Sequence, residues 1–199
     1  MSNIYPIFHK MLSKSEKEGL LKQKGIVIWM VGLSSSGKST LARAFEEDLY
    51  HKGFITKLLD GDNLRSGVNN NLGFSIEDRT ENVRRAAEVA KLFAQAGIVT
   101  ICSMISPTEQ VRNIAKEIIG EDFHEVYICC PFEVCAERDV KGLYKKALNG
   151  EIKNFTGLDS PFEEPKSPFI TINTDQEELE VSKQKLMKVI LPLITKHEQ

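Results

Sequence analysis

The run Gly32-Leu33-Ser34-Ser35-Ser36-Gly37-Lys38-Ser39, followed by Thr40, decides how this chain is read. It fits G-x-x-x-x-G-K-[ST], in which glycines let successive backbone N–H groups turn inward around phosphate. Upstream, Ile26 to Leu33 is a short apolar stretch rich in β-branched residues, as expected of a strand buried on both faces. Downstream, Ser39 to His51 carries Leu41, Ala42, Phe45 and Leu49 at helical spacing, and Gly53 stops it. Strand, loop and helix in that order bring a helix N-terminus onto a polyphosphate. Lys38 has the reach for the β- and γ-phosphates, and the Ser39 hydroxyl suits magnesium.

Outward from this loop the pattern repeats. Phe54 to Leu59, Ile98 to Met104, Glu125 to Cys130 and Pro168 to Asn173 read as further strands, five in all with the first. Between them lie helical patterns at Glu81 to Gln95 and Glu109 to Ile119, and Glu177 to Thr195, containing Pro192, closes the chain. Strands alternating with helices predict an α/β fold, a P-loop NTPase with a five-stranded parallel sheet, helices on both faces and a basic lid. Residues 1–24 read as an arm with a short helix opened by the capping box Ser13-x-x-Glu16, and residues 25–199 as the kinase domain. The stretch from Asp139 to Pro168 has little apolar periodicity, so residues of about 138–166 are expected to form the lid or a disordered excursion.

Composition narrows the function. The 199 residues suffice for one domain with its own core. With 26 basic against 28 acidic residues the net charge is −2, which gives no general attraction to nucleic acid or anionic membrane. A 41% hydrophobic, 27% charged chain is neither disordered nor fibrous, and its apolar runs are too short to span a bilayer. Cys102, Cys129, Cys130 and Cys135 have no zinc-type spacing and read as buried thiols. With no secretory signal visible at the N-terminus, the expected location is the cytoplasm. No N-K-x-D motif reads guanine, since Asn173-Thr174-Asp175 lacks the Lys, and the chain is small for a translocating ATPase. A kinase with its acceptor site in the same chain fits best.

Asp60 and Asp62 follow a strand and should stand at its carboxyl edge, where open α/β sheets bind ligands. One can hold magnesium while the other takes the proton of an attacking hydroxyl; spacing leaves the division open, with Asp62 favoured as base. Arg65, Arg79, Arg84 and Arg85 gather positive charge downstream and suggest an anionic acceptor, although each could equally pair with Asp78, Glu81 or Glu88. Arg138 to Lys153 sets five basic residues against two acids, a flap able to close over both substrates and exclude water. Phe74 and Phe155 look exposed among polar neighbours and could stack on a base.

These residues together resemble the adenylyl-sulfate kinase family over nearly the whole chain. The resemblance rests on G-L-S-x-S-G-K-S-T at Gly32 to Thr40, L-D-G-D-N-x-R at Leu59 to Arg65, L-G-F-S at Leu72 to Ser75 and D-R-x-E-N-x-R-R at Asp78 to Arg85. It extends through I-S-P at Ile105 to Pro107 and through K-G-L-Y-K-K-A and G-E-I-K-N-F-T-G between Lys141 and Gly157. It implies transfer of the γ-phosphoryl of MgATP to the 3′-hydroxyl of adenosine 5′-phosphosulfate (APS). ATP would lie on Gly32 to Thr40 with Arg138, magnesium on Ser39 and Asp60, and the catalytic set would be Asp62, Asp60, Lys38 and Ser106. The acceptor would be held by Arg65, Arg79, Asn82, Ile105, Ser106 and Lys141, with its adenine between Phe74 and Phe155. Ser106 matches a position marked in the family as a phosphoserine intermediate, although direct transfer needs no such step. A homodimer is also implied.

Overall fold

The computed structural model describes residues 3–196. Five parallel strands, β1 (Val27–Val31), β2 (Thr56–Asp60), β3 (Val99–Ser103), β4 (Phe123–Cys129) and β5 (Ile170–Asn173), lie in the order β2-β3-β1-β4-β5. Every residue of β1 is buried, since both faces of this central strand are covered. Ile28 and Met30 face one layer, in which α2 (Lys38–His51) and the last helix contribute Leu41, Phe45, Leu49, Leu186 and Ile190. Val27, Trp29 and Val31 face the other, formed by α4 (Ile76–Gln95) and α5 (Glu109–Ile119). Period-two alternation on a buried strand thus feeds two cores.

Four short helices and one long one complete the α-helices of the described residues. These are α1 (Lys14–Leu21), α3 (Gly61–Arg65), α6 (Phe132–Arg138), α7 (Leu143–Leu148) and α8 (Leu179–Ile194). The capping box at Ser13 is present. The pattern at Glu81 to Gln95 missed five residues: α4 starts at Ile76 because Ser75 caps it, its side chain accepting from Asp78 N–H at 3.1 Å. Strand β4 starts two residues earlier than its apolar run, at Phe123. Pro192 sits in the last turn of α8 and does not end it.

The stretch after Asp139 is not structureless. Tyr144, Ala147 and Phe155 are buried with Cys135, Cys130 and Leu33 in a third small core. Asp139 opens α7 by accepting from the N–H groups of Tyr144 and Lys145, both at 3.0 Å. Its apolar residues come from three short pieces, so no single periodicity announced them. Cys102, Cys130 and Cys135 are buried free thiols and Cys129 is half-buried. Among the described residues no helix is long and apolar enough to cross a membrane.

Helix α4 packs through alanines, with Ala86, Ala87 and Ala90 fully buried against β1 and α5. Ala90→Leu should therefore overpack this layer and cost about 1–3 kcal/mol in urea denaturation. Leu92→Ala, on the exposed face of the same helix, should change stability by less than about 0.5 kcal/mol.

Candidate active site

The cradle is built by steric exclusion and by hydrogen bonds from its neighbours. A Cβ on Gly32 would lie 2.5 Å from the Ile128 carbonyl oxygen and 2.8 Å from Ser36 Oγ, so only glycine lets the loop leave β1 this close to β4. Gly37 holds φ +96°, and Ser35 adopts a left-handed φ of +58° without glycine's freedom. The loop is tied from outside. Thr174 Oγ1 donates to the Ser36 carbonyl at 2.6 Å and Tyr144 Oη to that of Ser34 at 2.8 Å. The Ser36 and Leu33 side chains are buried, and of the expected loop residues Gly32, Leu33 and Ser36 do not line the cavity beside it.

Lys38, the first residue of α2, is buried and its ammonium donates to the Leu33 carbonyl at 2.5 Å. Burial pushes its pKa down from 10.5 to about 8. In the protein alone the charged form therefore opposes folding most below pH 8, and the opposition fades as pH rises towards 10.5.

The register of the sheet brings the next groups to the same edge. Asp60 ends β2 opposite Ser103 of β3, and Ser39 Oγ donates to Asp60 Oδ2 at 2.7 Å while lying 3.1 Å from Ser103 Oγ. The other oxygen of Asp60 caps α3, accepting from Asp62 N–H at 3.0 Å. A hydroxyl beside a carboxylate is a hard-oxygen pair that fits magnesium. No cluster of three or more His, Cys, Asp or Glu occurs among the described residues, and magnesium needs only one or two protein ligands when phosphates supply others. Asp62 is exposed, and its carboxylate pairs with the ammonium of Lys141 from the flap.

A cavity of about 1090 Å³ runs from the cradle past this acid pair to a cationic end. There the Arg65 guanidinium lies 4.5 Å and that of Arg79 5.7 Å from the centre of the Phe74 ring. Arg65 Nη1 donates to the carbonyls of Leu72 (3.1 Å) and Gly73 (2.7 Å), and Arg79 donates to those of Phe74 (3.0 Å) and Asn154 (2.8 Å) and to Thr156 Oγ1 (3.0 Å). Burial lowers the pKa of both, and Arg79 is lowered further by Arg65 beside it. Two crowded guanidinium groups favour an anion between them.

Of the expected residues, Ser34, Ser35, Gly37, Lys38, Ser39 and Thr40 line this cavity, as do Asp60, Asp62, Arg65, Phe74, Arg79, Asn82, Ile105, Ser106, Arg138, Lys141 and Phe155. Phe155 corrects one expectation. It is buried, not exposed, because Tyr144 packs edge-on against it with ring centres 4.8 Å apart; Phe74 is 60% exposed. Ser106 is also buried, at a left-handed φ of +46°; its Oγ accepts from the Trp29 indole N–H at 3.0 Å and its carbonyl from Arg112 at 3.2 Å. Arg84 and Arg85 both pair with Glu81, at 2.7 and 2.8 Å, away from the cavity's cationic end. Arg138 Nη2 donates to the Thr174 carbonyl at 2.6 Å.

Sequence reading missed Ser103, Arg112, Thr156 and Thr174. Ser103 had a signal, as the polar residue ending a strand, but Arg112 sits in a helix with nothing local to mark it. Its ion pair with Glu125 at 3.1 Å spans two elements.

The adenylylsulphate kinase family model matches residues 24–173. The chain is 52% identical over 198 residues to an adenylyl-sulfate kinase of Bacteroides fragilis, covering 99% of this chain and 98% of that one. It is 61% identical over 169 residues to one of Clostridium acetobutylicum, covering 84% of each. The fold matches the Mycobacterium tuberculosis APS kinase in complex with AMPPNP and APS, with a TM-score of 0.82, 42% identity and coverage of 84% of this chain and 98% of that chain.

Burial leaves Lys38 largely neutral above about pH 8, so a phosphate group that meets it as an ammonium takes up a proton there. Calorimetry should find MgADP affinity flat up to about pH 7.5 and falling by up to about tenfold per unit above pH 8, with Lys38→Met removing the pH dependence.

Proposed function

The chain belongs to the adenylyl-sulfate kinase family, and from that premise we propose which of its residues carry each part of the reaction. The protein is an ATP-dependent kinase that phosphorylates the 3′-hydroxyl of APS, giving ADP and 3′-phosphoadenylyl sulfate. One observation carries the assignment of roles: Ser39 donates to Asp60 within a single cavity that also holds the arginine pair.

The N–H groups from Gly32 to Thr40 and the Lys38 ammonium bind the ATP phosphates, with Lys38 exchanging the Leu33 carbonyl for phosphate oxygen. Arg138 flanks this end. Ser39 and Asp60 hold the magnesium, which when bound neutralises charge on the phosphate oxygens. Arg65, Arg79 and Asn82 hold the phosphosulfate of APS, Phe74 and Phe155 flank its adenine, and Ile105 and Ser106 support it from below. As the lid of residues 138–166 closes, Lys141 moves from Asp62 to the anionic acceptor and frees the carboxylate. Asp62 then takes the proton from the 3′-hydroxyl while the 3′-oxygen bonds to the γ-phosphorus and the bond from that phosphorus to the ADP oxygen breaks. Transfer is direct. Ser106 contacts the acceptor side and carries no phosphoryl group, since its Oγ is buried and engaged with Trp29.

We place the chain in the cytoplasm, where its four free thiols stay reduced. As its assembly we propose a homodimer that covers the arm, where Tyr5, Phe8, Met11 and Leu12 are more than half exposed. Light scattering after size exclusion should give twice 22.4 kDa; a monomer removes that proposal.

Pure protein given MgATP and a panel of nucleotidyl and small anionic acceptors should release ADP fastest with APS. Release with another acceptor only, or with none, would reassign it to a related kinase or a non-catalytic regulator. Asp62→Asn should lower kcat by about 10²- to 10⁴-fold with ATP binding nearly intact. Unchanged turnover removes Asp62 from the role of base.

A further inference from the structure

Asn69 belongs to the turn after α3, where its N–H donates to the Leu64 carbonyl at 2.8 Å, and its side chain is wholly inaccessible. Arg85 fixes this turn from α4, donating to the Val68 carbonyl at 3.2 Å and to Asn71 Oδ1 at 2.8 Å. Asn69 Nδ2 donates to Asn82 Oδ1 at 2.9 Å and lies 3.4 Å from the Asn82 main-chain carbonyl. Its own Oδ1 is buried without a hydrogen-bond partner, alone in this among the described residues.

This geometry fixes two amides in turn. A main-chain carbonyl only accepts, so it selects the NH2 end of Asn69. That NH2 in turn selects the oxygen end of Asn82. With its oxygen committed, Asn82, which lines the cavity, keeps its own NH2 as donor. An N–H donor stabilises an anionic acceptor, whereas the reversed amide would oppose it with a carbonyl dipole. A buried acceptor without a donor is a cost, and leucine in its place would remove that cost together with both contacts to Asn82.

We infer that Asn69 is a positioning residue, setting the direction of the Asn82 amide and so the affinity for APS. This rests on reading Asn82 as a donor to APS, so both residues are tested together. Steady-state kinetics are measured for Asn69→Leu, Asn82→Ala and the double variant, varying APS and ATP separately, with melting temperature as a control. Asn69→Leu should raise KM for APS about tenfold, leaving kcat and KM for ATP within about twofold, with a cooperative melting transition showing that the variant is folded. Asn82→Ala should also raise KM for APS about tenfold, and the double variant should be no worse than either.

If Asn82→Ala raises KM for APS but Asn69→Leu does not, the inference fails and the Asn82 reading stands. If Asn82→Ala has no effect, both fall. Multiplying effects in the double variant would also overturn the inference, because Asn69 would then act independently of Asn82. Should Asn69→Leu not fold, Asn69→Ala decides. It removes the donor to Asn82 without adding bulk, so its KM for APS should also rise about tenfold while KM for ATP stays within about twofold. An unchanged KM for APS overturns the inference.

Discussion

The bond from Ser39 to Asp60 joins residues 21 positions apart, at the N-terminal end of α2 and the C-terminal end of β2. It exists because β2, β3 and β1 run parallel in a fixed register, with Asp60 opposite Ser103 and Ser103 opposite Met30. A slip of one residue would turn Asp60 to the other face and separate phosphate cradle from acid pair. The two buried layers hold that register, so the core of this protein serves its chemistry by fixing strand ends.

Around this junction the charged groups are held by partners they can exchange. Lys38 donates to a carbonyl of its own loop, Arg65 and Arg79 donate largely to carbonyls, and Lys141 pairs with Asp62. Each contact is weaker than one to phosphate or phosphosulfate would be, because a neutral carbonyl or an exposed ion pair returns little for desolvation. The segment of residues 138–166 shares this logic. Its small core, packed on Tyr144 and Phe155, anchors it to the cradle through Ser34, while its lysines stay at the surface.

A second layer of uncharged contacts keeps the first in place. Trp29, from the centre of the sheet, reaches the strained Ser106, and Arg112 ties the Ser106 carbonyl to that of Glu163 at the exit of the lid. Asn69 does the equivalent for Asn82. None of these residues belongs to a motif with its own chemistry, yet each decides which atom of a cavity residue faces inward.

Much of this was written locally. The cradle, the five strands and the acid pair could be read from Gly32 to Ser39, from β-branched runs and from L-D-G-D-N, because glycine, helix propensity and apolar alternation act over a few residues. Phe155 could not, since its burial depends on Tyr144 eleven residues away and on the fold of both. Nor could the partners of the arginines: Arg84 and Arg85 carry the same charge as Arg65 and Arg79, and only the placement of α3 and α4 turns one pair to Glu81 and the other to the cavity. The sequence by itself determined the elements and the chemistry available at their ends. The tertiary structure decided which side chains meet across them, because contacts such as Arg112 with Glu125 or Asn69 with Asn82 have no local energy to betray them.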